Sequence, residues 1–281
     1  MSSSFSPPPE VDLSSLSSQK YDWIVPEEGQ LRRGDLVLVN NLVFAELPGE
    51  EELVSVYDYK NKSYKVKDRN VRLLPKAMDA LNELMEGFYQ ATGISDVNVI
   101  SGFRSIEDQQ AIMDREVLAV GQTEASRWVA KPGGSEHHTG YALDLAIYTD
   151  EGESRDFTGE GAYGWINENC SKYGFIVRYP DEKSGITGIA YEPWHYRYLG
   201  EPHAKLATEL GLCYEEYIDY LKGYPADGTH LEVQGWNQKR YEIYYIPESA
   251  GQIAVPKDRA YDLSGNNLDG YIITVHLDDE G

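Results

Sequence analysis

The stretch GGSEHHTGYALDLAI, residues 133–147, places two adjacent histidines, His137 and His138, ahead of an aspartate that lies inside an apolar run. A lone charged carboxylate there costs on the order of several kcal/mol unless something neutralises it. Read as a strand, 140–147 turns Tyr141, Leu143, Leu145 and Ile147 to one face and Ala142, Asp144 and Ala146 to the other. The two alanines leave room beside the carboxylate, and Gly140 lets the backbone turn between His137 and the strand. An imidazole and a carboxylate so arranged can share a divalent cation. Zinc takes both ligand types, and a catalytic zinc has three protein ligands and one open position. The segment YEPWHYRYLG, 191–200, offers His195 as the third donor and Glu192 three residues before it. Residues three apart face opposite sides of a regular strand, so both reach one site only if Pro193 bends or bulges the chain. Glu192 would then be the base that takes a proton from water. Taken alone, His137 and Asp144 read equally well as a histidine bonded to a loop carbonyl and an aspartate paired with a basic residue. Adding E-P-W-H turns the balance toward a metal.

Positioning these groups requires a scaffold of alternating helices and strands. Pro75 opens a helix through Gly93, with Met78, Leu81, Leu84, Met85 and Phe88 at helical spacing. DVNVISG follows as a strand, and Ser105 with Asp108 reads as the start of a second helix to Gly121. SRWVAKPGG, 126–134, reads as a loop. A helix is predicted over 161–174, strands over 175–179 and 189–200, and two short helices between Glu201 and Gly223. Before Pro75, residues 36–73 read as short antiparallel strands; after Gly223 the texture is again β-rich, with Tyr241, Ile243 and Tyr245 alternating. The order of elements predicts an α+β fold.

The predicted organisation is therefore a Ser/Pro-rich disordered linker over 1–24 and a main domain over 25–223. That domain comprises a small β segment, 25–74, and a core, 75–223; a small C-terminal β appendage, 224–281, follows. The 281 residues carry 25 Lys+Arg against 47 Asp+Glu, a formal net charge of −22. Such a surface repels phosphate backbones, which argues against nucleic acid as a partner. No apolar run is long enough to span a bilayer. The first residues lack the basic start and apolar core of a signal peptide. Cys170 and Cys213 form no metal-type cluster and read as buried thiols, with a disulfide open to them only in an oxidising compartment.

SEHHTGYALD and EPWHYRY closely resemble the S-x-H-x-x-G-x-x-x-D and E-x-W-H signatures of VanY-type zinc D-alanyl-D-alanine carboxypeptidases, and SGFRS resembles that family's S-G-[YF]-R-S segment. The matches come in the family's order and cover about residues 75–200. The resemblance implies a central, mainly antiparallel sheet with helices on one side and a single Zn²⁺ held by His137, Asp144 and His195. It implies Glu192 as general base and acid and Arg104 as the stabiliser of charge on the attacked carbonyl oxygen. Ser135, Gln109 and Trp194 would contact substrate. His138 would be a rim residue, and His203, His230 and His276 lie outside the motifs. The implied substrate is the terminal D-Ala-D-Ala of peptidoglycan stem peptides or precursors. Scaffolds of this type also serve L,D-carboxypeptidases, D,D-dipeptidases, endopeptidases and non-catalytic zinc-binding modules. The substrate class implies work outside the cytoplasmic membrane, with the Ser/Pro-rich start as a tether if an anchor has been removed.

Overall fold

Pro75 occupies the first turn of helix Pro75–Thr92, and Gly93, at φ 74°, ends it by donating its N–H to the Tyr89 carbonyl at 2.7 Å. The helix buries Met78, Leu81, Leu84, Met85 and Phe88 against Leu143, Leu145 and Ile147 in one hydrophobic cluster. The computed structural model describes residues 5–149 and 151–280 and divides the chain into two units, one of Val39–Thr208 and one of Met1–Leu38 with Glu209–Gly281.

The unit Val39–Thr208 is built on a six-stranded sheet. Its path runs Lys65–Val66, Val97–Ser101, Ala142–Tyr148, His195–Tyr198, Phe175–Val177, with Ser154–Asp156 also paired to Ala142–Tyr148. Only the first pairing is parallel. The predicted alternation in 140–147 is realised: the odd-numbered residues enter the hydrophobic cluster and Asp144 points to the other side. Ser105 caps helix Ile106–Val120, its Oγ accepting the Asp108 N–H at 3.0 Å.

Three local expectations give way. Residues 189–194 are not strand: Pro193 follows Glu192 in a turn closed by the His195 N–H donating to the Glu192 carbonyl at 3.2 Å, and the strand starts at His195. Proline pre-sets the backbone angle for the second position of such a turn and cannot donate to a ladder. The predicted loop 126–134 begins only after a helix, Gln122–Trp128. The predicted β start is mostly irregular, with Val54–Ser55 pairing Arg72–Leu73 and a short helix at Val56–Tyr59. Leu36, Val37, Leu38 and Val39 are buried without joining a strand, so their apolar pattern reports burial rather than pairing.

In the other unit, Leu231–Gln234, Arg240–Pro247, Gly270–Glu280 and Arg259–Gly265 form an antiparallel sheet in that spatial order. Tyr21–Ile24 pairs with Ile253–Pro256. The β texture predicted after Gly223 thus belongs to a unit that also takes in the chain's start and the helix Tyr214–Leu221. Residues 1–4 of the predicted linker lie outside the described residues, but Val11, Leu13 and Leu16 pack on the core around Tyr244, Ile253 and Tyr271. Three apolar residues among serines suffice to anchor the segment, and average composition hides them. Cys170 and Cys213 are both buried as thiols, and burial pushes the Cys170 thiol up to about 12.

Candidate active site

Asp144 and His195 stand directly opposite each other in the antiparallel pair of Ala142–Tyr148 with His195–Tyr198, which puts both side chains on one face. On its other flank Asp144 opposes Ser101, where the register of Val97–Ser101 shifts. His137 enters from the 3₁₀ turn Glu136–Thr139, which ends at Gly140 with φ 73°. A Cβ at Gly140 would stand 3.0 Å from the Leu53 and Leu74 side chains, so the turn needs glycine for conformation and for space.

The three side chains meet. His137 Nε2 lies 3.1 Å from Asp144 Oδ2, and His195 Nδ1 lies 3.0 Å from Asp144 Oδ1. The imidazoles are edge to face, 4.9 Å apart. One donor atom from each of the three falls within 4.8 Å of the others, the single grouping of this kind among the described residues. His137 turns its Nδ1 to the Gly102 carbonyl at 2.7 Å, leaving Nε2 for the centre. The turn at Pro193 brings Glu192 Oε2 to 3.7 Å from His195 Nδ1. Arg104 reaches in with Nη2, 3.4 Å from Asp144 Oδ2 and 2.8 Å from Ser101 Oγ.

Burial sets the electrostatics. It raises the Glu192 carboxyl to about 8, with His195 opposing the shift. Burial and the Arg104 charge lower His137 to about 4. Burial opposes the charge on Asp144, yet His137 and His195 outweigh it and hold the carboxyl well below its ordinary range. His195 is driven the other way: burial disfavours its cation, but the bond to Asp144 and the nearby Glu136 carboxylate lift it to about 9. Buried acid–base groups whose proton affinities are pushed in opposite directions suit a site that trades protons for a metal cation. Two imidazoles and a carboxylate are also a donor set that borderline divalent metals accept, so the residues present fit a metal ion.

Residues 70–201 match the family model for VanY, D-alanyl-D-alanine carboxypeptidase. A D-alanyl-D-alanine carboxypeptidase of Enterococcus faecium is 33% identical over 277 residues, 96% of this chain and 84% of that protein. The chain belongs to the VanY family of D-alanyl-D-alanine carboxypeptidases. Among solved structures, the vancomycin-resistance D,D-dipeptidase VanXYg, in complex with a D-Ala-D-Ala phosphinate analogue, is similar over 91% of this chain and 99% of that one. Its TM-score is 0.80 and its identity 31%. The vancomycin-resistance D,D-pentapeptidase VanY, solved with Zn(II), is similar over 66% of this chain and 98% of that one, with TM-score 0.52 and identity 33%.

In this VanY-family chain all eight positions singled out from sequence line one cavity of about 200 Å³: Arg104, Gln109, Ser135, His137, Asp144, Glu192, Trp194 and His195. Apolar walls come from Ile112, Trp128, Tyr179 and Ile189. Gln109 differs from expectation in its attachments. It is 1% exposed, with Oε1 accepting from Arg104 Nη1 and Nε2 donating to the Ala130 carbonyl, each at 2.7 Å. It steadies Arg104. His138 is not a rim residue: it is fully buried, its Nδ1 2.7 Å from the Arg104 carbonyl and its Nε2 accepting the Gly133 N–H at 3.1 Å. It ties together the two segments that carry Arg104 and Ser135. Sequence reasoning missed Glu136 and Arg178, which form a wholly buried pair behind His195. The signal was available, since Arg178 interrupts the apolar run FIVRY as Asp144 interrupts ALDLAI.

Proposed function

We propose that this protein is a zinc-dependent carboxypeptidase that hydrolyses the terminal D-Ala-D-Ala bond of peptidoglycan stem peptides or their precursors. The observation that carries the reading is the meeting of His137, Asp144 and His195 with Glu192 at 3.7 Å from the shared centre's edge at His195 Nδ1. His137, Asp144 and His195 would hold one Zn²⁺. When bound, zinc supplies Lewis acidity toward the scissile carbonyl and makes water a stronger acid. Glu192 accepts the proton of the attacking water and returns it to the departing amine of D-alanine. Its burial keeps the carboxylate poorly solvated and therefore a stronger base than an exposed glutamate. Arg104, held by Gln109 and Ser101, offers a fixed positive charge to the oxygen that becomes negative during attack. Ser135 and Trp194 line the cavity where the peptide's terminal residues sit.

The unit Val39–Thr208 carries the chemistry. The substrate class implies work at the cell wall, outside the cytoplasmic membrane. Among the described residues no helix is long and apolar enough to cross a membrane.

Zinc-replete protein given a stem pentapeptide should release one equivalent of free alanine. A zinc-loaded protein that releases none removes the assignment. The likeness to VanXYg over 91% of this chain favours a second reading, cleavage of the free D-Ala-D-Ala dipeptide. Rates on pentapeptide, tetrapeptide and dipeptide, compared side by side, distinguish D,D-carboxypeptidase, L,D-carboxypeptidase and dipeptidase action.

A further inference from the structure

His195 presents one ring nitrogen to the metal centre and the other to a second carboxylate. Its Nδ1 is 3.0 Å from Asp144 Oδ1, while its Nε2 is 3.7 Å from Glu136 Oε2. Neither Nε2 nor Glu136 Oε2 has a hydrogen-bond partner elsewhere among the described residues, and both are buried. Glu136 is held from its other oxygen: Arg178 Nε donates to Oε1 at 2.7 Å, with both side chains 0% exposed. Arg178 is itself fixed to the strand that bears His195, its backbone N–H donating to the His195 carbonyl at 3.1 Å. A fully buried ion pair is a poor way to add stability, because well-packed apolar residues often do as well or better. Its location behind a ligand calls for a different explanation.

We propose that Glu136, anchored by Arg178, is a positioning residue that takes the Nε2–H of His195 and so fixes the tautomer that leaves Nδ1 free to bind the metal. The inference rests on the zinc-site reading above. A neutral imidazole carries its proton on either nitrogen, and the hydrogen bond made by one nitrogen decides which is left for a metal. His137 shows the same arrangement with the nitrogens exchanged: its Nδ1 faces the Gly102 carbonyl, and Nε2 faces the centre. His195 faces a charged acceptor where His137 faces a neutral one. A carboxylate behind a ligand raises the ligand's basicity as well as orienting it. Arg178 serves by occupying Oε1, which keeps Oε2 aimed at the ring.

The experiment uses the full chain, ¹⁵N-labelled, with and without Zn²⁺. Long-range ¹H–¹⁵N spectra report which nitrogen of His195 carries the proton and which carries the metal, and a chromophoric chelator in competition reports zinc affinity. Wild-type protein should show Nε2–H with zinc on Nδ1. Glu136→Gln should weaken zinc binding by about 10- to 100-fold. That variant strands a buried arginine, so E136Q/R178M is measured beside it. The double variant should regain the thermal midpoint of the metal-free protein while zinc binding stays weak. A double variant that binds zinc as tightly as wild type overturns the proposal, as does a wild-type spectrum with zinc on Nε2. A wild-type spectrum can overturn the proposal even if neither variant folds. Wild-type protein that takes up no zinc removes the metal site itself and the inference with it, a result distinct from tight binding in the variants.

Discussion

Each unit of the chain sets a histidine against a carboxylate, and the two arrangements do different things. In the unit of Met1–Leu38 with Glu209–Gly281, His230 places Nδ1 2.6 Å from Glu242 Oε1 and Nε2 2.8 Å from the Ala226 carbonyl, and stacks on Tyr244 at 4.4 Å. Both nitrogens are used up, one by a carboxylate and one by a backbone carbonyl. In the unit Val39–Thr208, one carboxylate, Asp144, is shared by two histidines and approached by Arg104. Each of these histidines keeps one nitrogen for the common centre and turns the other outward. A satisfied pair closes on itself and serves structure; convergent donors that oppose one another's charge are tolerable only where a cation or a reaction uses them.

The comparison breaks most visibly if the convergent group can be dismantled without loss. Asp144→Ala removes the carboxylate shared by both histidines, and metal content by elemental analysis should fall from one zinc per chain to none, with alanine release abolished. Retention of stoichiometric zinc would sink the three-donor reading. Glu192→Gln should keep the zinc yet lower kcat by about 10²–10⁴, the range for losing a general acid–base group. A variant that loses zinc as well would make Glu192 a ligand instead of a base. Arg104→Met should cost about 10²–10³ in kcat at unchanged zinc content. Gln109→Ala, which frees Arg104 on one side and leaves the Ala130 carbonyl without its donor, should cost about tenfold in kcat, the scale of one hydrogen bond to Arg104.

How much of this was legible beforehand follows from the kind of signal each residue leaves. Asp144 was readable because a charge in an apolar strand demands an explanation. His195 and Glu192 were readable as a pair, but the element joining them was not: Pro193 fits a bulge or a turn equally well in sequence, and only the hydrogen bond from His195 N–H to the Glu192 carbonyl selects the turn. Glu136 was hidden by its neighbours, since one acidic residue beside two histidines looks like loop polarity. Arg178 left the same mark as Asp144 without an accompanying motif to draw attention to it. At the chain's start, Val11, Leu13 and Leu16 pack on the β-rich core although serine and proline dominate the local composition. Averages report what a segment mostly is, whereas docking depends on a few side chains.

His138 sharpens the comparison from within the site. It is a buried histidine one residue from His137, yet its two nitrogens are both spent on backbone, as those of a structural histidine are. His138→Phe should leave zinc stoichiometry unchanged and lower stability by about 1–3 kcal/mol, because the buried Gly133 N–H loses its acceptor. Denaturant unfolding of the zinc-loaded protein reads this, and a loss of zinc instead would place His138 among the ligands.

The smallest effect tests the structural half of the contrast. The bond to Glu242 and that to the Ala226 carbonyl hold the His230 proton more tightly than the unfolded chain does; burial opposes them and loses, so its pKa lies above the ordinary 6.5. The folded protein therefore binds more protons than the unfolded one between those two values, and stability falls as pH rises through that window. The contribution is complete below the unfolded value and gone above the folded one. Unfolding midpoints measured on either side of neutrality should show this decline, and His230→Phe should flatten it without altering alanine release at saturating zinc. If the substitution leaves the slope intact, the pair between His230 and Glu242 is not the titrating element. If it changes the rate of alanine release, this histidine does more than close on its own carboxylate, and the distinction between closed pair and convergent cluster fails where it should be simplest.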